Sequence, residues 1–136
     1  MNLDSVLAAG RAAARARMRD TVRLYSQAPD TFDRVTGTTV PGVQTTLYEG
    51  AGRVKPVAQA SGEETQAAER EVRLLEYEVS LPWETSLPDG TRVVPGMRLE
   101  VTASRDARMA GLVLWVTGAQ FSDQATAWRL MTEDRS

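Results

Sequence analysis

The side chains that most often do chemistry are missing from this sequence: among its 136 residues there is no histidine and no cysteine. That removes imidazole bases, thiolate nucleophiles, disulfides and nearly all zinc chemistry together. Asp and Glu could still perform acid–base work or hold magnesium, but no pair of them falls in a recognisable motif. The glycines match no phosphate-cradling pattern. These residues predict a protein that is not an enzyme and needs no metal or other cofactor. What remains is the chemistry of charged contact. Arg11, Arg15 and Arg19 recur at intervals of four, which on a helix sets three guanidinium groups along one stripe. Like charges so spaced repel by about a few tenths of a kcal/mol per pair. The stripe reads either as a solvated face or as a docking surface, since arginine pairs two-pronged with carboxylates and also meets nucleic-acid phosphates. Glu63, Glu64 and Glu69 make an acidic counterpart within "AQASGEETQAAE", residues 58–69, which has no apolar side chain larger than alanine.

The basic residues are fifteen arginines and the single lysine Lys55, against a net charge of −2. That balance argues against a dedicated nucleic-acid binder held by phosphate contacts. The aromatic residues are scattered singly and form no base-stacking run. Trp83, Trp115 and Trp128 read as core or interface residues. No apolar run approaches the roughly 20 residues needed to cross a bilayer as a helix, so no membrane partner is expected. The N-terminus lacks the basic-then-apolar order of a secretory signal, and its arginines and alanines fit a folded helix.

The elements that must position these residues follow from periodicity. Leu3, Val6, Leu7, Ala14 and Met18 recur at helical spacing, predicting a helix over about 3–18 capped by Asp4 or Ser5, with the arginines away from its Leu3, Val6, Leu7 face. Alternation then begins at Val22 and Leu24. "QAPDTFDRVTGTTVPGVQ" is dense in turn residues and reads as a long, exposed, hairpin-like excursion. In "TTLYEGAGRVKPV" a strand resumes, with Gly50 and Gly52 marking a bend or close backbone approach, as at a barrel corner. Leu75, Tyr77, Val79 and Leu81 form one half-buried face. The opposite parity of Val72 and Leu74 implies a bulge or a late start. "TRVV" is long enough only for a short strand, and Met97, Leu99, Val101 and Ala103 make another half-buried face. In "TAWRLMT", Trp128 and Leu130 fall opposite Arg129 and Met131, and the tail "EDRS" is expected to fray.

"LVLWVTGAQF" is apolar on both parities, as in a strand covered on both faces. The second cover could be the helix or a neighbouring subunit, which makes Leu112, Leu114, Trp115 and Val116 candidates for a contact between copies. The sum is a single domain over 1–136 and a mainly β fold: a small antiparallel β-barrel or sandwich over about 21–133, with an N-terminal α-helix and a long polar loop at 58–69.

The segments "LAAGRAAARARMRDTVRL", "TTLYEGAGRVKP", "LLEYEVSLP" and "VVPGMRLEVTASRDARMAGLVLWVTGAQFSDQATAWRL", in that order, resemble small virion proteins encoded by actinobacterial tailed phages and prophages, the head-tail joining or head-closure proteins. The resemblance runs from about Leu3 to Arg129. It implies a stopper: a homo-oligomeric ring, expected here as a hexamer, in the neck between capsid and tail, assembled in the host cytoplasm. Such a ring would meet an adaptor ring or portal on the head side and a tail terminator or tail tube on the other. The packaged DNA would lie in its lumen without sequence recognition. On this reading Arg11, Arg15 and Arg19 dock on the adaptor, and Glu63, Glu64 and Glu69 line a channel loop that repels phosphates and gates the DNA. A tail terminator ring is the nearest alternative. An oligonucleotide-binding barrel is the alternative from another class.

Overall fold

The computed structural model describes residues 2–57, 75–120 and 122–135. Glu63, Glu64 and Glu69, the loop at 58–69 and the parity change at Val72 and Leu74 lie outside the described residues. Among the described residues, helix α1 (Leu3–Ala16) comes first and eight strands follow: β1 (Asp20–Gln27), β2 (Thr31–Asp33), β3 (Thr38–Val40), β4 (Gln44–Pro56), β5 (Leu75–Pro82), β6 (Arg98–Ala103), β7 (Val113–Gln120) and β8 (Ala127–Asp134). Six of them close into an antiparallel barrel in the order β1-β4-β5-β8-β7-β6, and β2 and β3 form a separate two-stranded hairpin. The expected barrel with an N-terminal helix is the fold.

Alternation along each strand builds the interior. Val22 and Leu24 of β1, Val79 and Leu81 of β5, Leu99 and Val101 of β6, Leu114 and Val116 of β7 and Leu130 of β8 are sealed from solvent. Each such side chain contributes about 1.5–3 kcal/mol by leaving water. Thr132 is the buried polar side chain among them, and its hydroxyl is satisfied by donating to the Tyr77 carbonyl at 2.9 Å. β4 supplies a glycine where its neighbours fill the space. A Cβ on Gly52 would stand 2.9 Å from Val22 Cγ2 and 3.4 Å from Leu81 Cδ2. Here β4 turns the corner, pairing with β1 as far as Gly52 and with β5 from Arg53 onward.

Closure of so few strands demands steep tilt and local twist. Followed around the ladder, Tyr25 pairs with Arg98, Arg98 with Trp115, Trp115 with Glu133 and Glu133 with Glu76. The circuit returns just past the end of β4, where Val57 N donates to Glu76 O, far from Thr46, the direct partner of Tyr25. Bulges supply the extra twist. The register slips at Leu47, Thr102 and Thr117. Two of these extra residues are threonines whose hydroxyls bond across to the neighbouring strand: Thr102 to Thr21 O at 3.1 Å and Thr117 to Met131 O at 3.2 Å.

Several local expectations change. "TRVV" is not a strand: a 3-10 turn at Pro88–Gly90 precedes it, and only Val93 of its two valines is buried. The tail does not fray at Glu133, because β8 pairs with β5 through Asp134 and Arg135 lies over Trp115 at 4.6 Å. Tyr25, on the outer face, is nonetheless buried beneath the Arg23 guanidinium at 4.1 Å. Arg23 also reaches Glu100 on β6 and Thr46 on β4, so one side chain ties β1 to both neighbours.

Candidate functional site

Asn2 rather than Asp4 or Ser5 caps α1: its side-chain oxygen accepts from Ser5 N at 2.8 Å. The helix stops at Ala16 with Arg17 as its C-cap, so Arg19 is not on the helix and the three-arginine stripe is broken. The remaining pair contacts the barrel. Arg11 stacks on Trp83, 3.4 Å from the ring centroid, and donates to the carbonyls of Ala125 at 3.1 Å and Asp123 at 2.7 Å. Arg15 pairs with Glu84 at 2.6 Å. The small face of α1 allows this approach, since a Cβ on Gly10 would come within 2.8 Å of Thr126 Cγ2. Trp83 is fixed in turn by its indole N–H, which donates to Ser122 O at 3.0 Å. Within this chain Arg11 and Arg15 therefore join the helix to the barrel, and the apolar Leu3 and Val6 are left about half exposed.

The strand apolar on both parities also resolves into two faces. Leu114 and Val116 point into the barrel and are sealed there, so those two candidates face no neighbouring subunit. Leu112 packs on the margin of the core. Trp115 stands on the outer wall between two guanidinium groups, Arg98 at 4.0 Å and Arg135 at 4.6 Å. Its second cover comes from its own chain: long arginine side chains with flat, weakly hydrated heads screen an indole without needing an apolar partner.

Among the described residues, exposed apolar side chains cluster elsewhere. The hairpin β2–β3 projects with Phe32 63%, Val35 93% and Val40 47% exposed. Its register sets Phe32 opposite Thr39 and Thr31 opposite Val40, so Phe32 and Val40 lie on opposite faces of the finger. Its tip is well formed. Asp33 accepts from the amides of Val35 at 2.9 Å and Thr36 at 3.4 Å, which holds its carboxyl below the usual carboxylate pKa. Gly37, at φ 73°, donates to Asp33 O at 2.8 Å. The base is pinned by Gly42 N donating to Asp30 Oδ1 at 2.9 Å. The second feature is a cleft of about 500 Å³ lined by Trp83, Thr85, Leu87, Thr91, Arg92 and Trp128 among others. Leu87 and Trp128 are buried and form its apolar lining beside the more open Trp83. The sequence identified the excursion at 27–44 as exposed. The signal for more was there: apolar residues inside a turn-rich stretch, where a core face has no use for them.

Among the described residues no group of three or more acidic side chains gathers as a metal site would require. None of the described helices is long and apolar enough to cross a membrane.

No curated protein matches the chain. Among solved structures, the solution structure of protein SF1141 from Shigella flexneri 2a is similar, with a TM-score of 0.52 at 16% identity over 88% of this chain and 95% of that one. At that identity the likeness carries the fold alone. The sequence profile of DUF6093, described as a family of unknown function, matches residues 10–133. That span takes in the docked half of α1 from Gly10 and nearly all of the barrel, and the chain belongs to this family.

Proposed function

We propose that this protein is a structural subunit of a tailed-phage virion, a head-to-tail stopper that forms a ring in the neck and closes the filled head. The observation that carries the reading is a barrel complete in itself that still leaves apolar projections in water. Its six strands close, so it has no free edge through which copies could join by strand addition. The exposed finger of Phe32, Val35 and Val40, together with Leu3 and Val6 on the free half of α1, gives it surface that assembly would cover. The resemblance to head-closure proteins points the same way. In this reading the ring meets the adaptor or portal above and the tail below, and packaged DNA passes through its lumen.

The test is to delete the coding region from the phage or prophage that carries it and to examine the particles by electron microscopy. Heads that lose DNA, accompanied by separate finished tails, are expected. Normal virions overturn the proposal. Filled heads beside tails of uncontrolled length assign the chain to the tail terminator instead.

A further inference from the structure

We propose that the β2–β3 finger of one copy inserts into the Trp83–Leu87–Trp128 cleft of the next copy, joining subunits head to tail. This deepens the ring reading and rests on it for the closed symmetry of the assembly.

Four observations converge on that occupant. The finger is apolar on both faces and at its tip, with Phe32 and Val40 on opposite sides and Val35 93% exposed at the end. Docking on a flat surface would cover one face, whereas a cleft covers both. The exposure of Val35 also shows that the finger does not fill the cleft of its own chain. Second, the cleft's volume of about 500 Å³ and its lining by Leu87, Trp83 and Trp128 suit a few apolar anchors of the kind that dominate interface energy. Third, charges on the two surfaces are complementary. Arg34 and Asp33 lie together at the tip and Asp30 at the base, and the cleft carries Asp123 and Arg92, so Arg34 has an acidic partner there and Asp30 or Asp33 a basic one. Asp33 keeps its charge to low pH because two amides donate to it. Fourth, finger and cleft are different surfaces, built from residues 28–43 and from 83–92 with Gln120, Asp123 and Trp128. A contact between them would be heterologous and would propagate from copy to copy until rotation closed it.

The absence of cysteine makes the test clean. V35C and T91C are prepared separately, mixed at the highest soluble concentration and oxidised. A disulfide between the two variants is expected, and the double variant V35C/T91C should give a ladder of covalent oligomers. Since disulfide formation needs Cα atoms within about 7 Å, finger and cleft must truly meet. Disulfides confined to V35C with V35C would mean a finger-to-finger contact and overturn the proposal, as would monomers with no cross-link. The companion variant F32S/V35S leaves the barrel interior untouched. It should keep the thermal transition but weaken self-association by about thirtyfold or more, the loss expected of an interface hot spot; unchanged association overturns the proposal.

The contact and the neck role fail separately. A ring of this chain in a virion neck with the finger seated on another protein overturns the contact and keeps the ring. A covalent ladder from a phage whose deletion mutant makes normal virions keeps the contact and removes the neck role.

Discussion

Arg11 and Arg15 stand one turn apart on α1, yet their surroundings predict very different weights. Arg11 is half-buried, stacked on Trp83 and bonded to two carbonyls, so Arg11→Ala should cost about 1–2 kcal/mol by loss of the stacking and the charged hydrogen bonds. Arg15 and Glu84 keep 64% and 54% of their side-chain surface in water, and Arg15→Ala should cost less than about 1 kcal/mol. Denaturant titration of both variants checks the contrast; equal losses would mean that Trp83 is not the anchor. Asp33 offers a second test at this scale. Amides of Val35 and Thr36, which donate to its ionised form, depress its pKa below 3.8 in the folded chain. A depressed carboxyl stabilises the fold above its unfolded pKa, and that contribution fades as pH falls through the folded value. Amide shifts of Val35 and Thr36 should therefore titrate with a midpoint below 3.8, and Asp33→Asn should abolish the titration. These particulars were beyond the sequence. The spacing of Arg11 and Arg15 was legible, but their direction depends on Trp83 and on carbonyls more than a hundred residues away in the chain.

At the scale of elements, the hairpin depends on its base more than on its strands, because an isolated two-stranded ribbon is marginal in water. Gly42 marks the constraint: a Cβ there would sit 1.7 Å from the Ala28 carbonyl oxygen, a backbone clash that no rotamer relieves. Gly42→Ala should open the base, break the bond from Gly42 N to Asp30 and speed hydrogen exchange across Thr31–Val40 by roughly tenfold or more. The barrel transition should hold, since the finger adds nothing to the interior. If finger and cleft meet as proposed, self-association is lost with it. Exchange unchanged across the finger would show that the base is not what holds it. The elements themselves were largely readable. Alternation of Val79 with Leu81, of Leu99 with Val101 and of Trp128 with Leu130 states a half-buried strand in any context. "LVLWVTGAQF" was ambiguous because pattern distinguishes apolar from polar, not the source of a cover, and Arg98 and Arg135 covering Trp115 read as polar neighbours. "TRVV" shows the converse: β-branched residues beside a turn favour extension, but with Gly90 at φ 67° and Gly96 at φ 98° on either side the segment has no neighbour to pair with.

For the whole molecule, the question is whether the barrel needs its helix. Its interior is built from strand residues and the connecting Leu87, Val93 and Met97, and no residue of α1 is fully buried. Closure is achieved by β1 alone, which pairs with β4 on one side and β6 on the other. The helix adds the Arg11 and Arg15 contacts and the close approach at Gly10, a margin of a few kcal/mol against a core in which each sealed aliphatic residue contributes about 1.5–3 kcal/mol. A chain beginning at Arg17 should therefore fold to the same barrel, keeping its β circular dichroism, with Tm lower by about 5–10 °C. Met18, which is buried in the full chain, remains in the shortened one. Loss of a cooperative transition would show instead that docking of α1 on Trp83 and Thr126 is needed to hold β5 and β8 in place. Retention of the fold would leave the helix free for work outside it: Leu3 and Val6, turned to solvent ahead of the docked half, would then be explained by a neighbour in the assembly rather than by this domain.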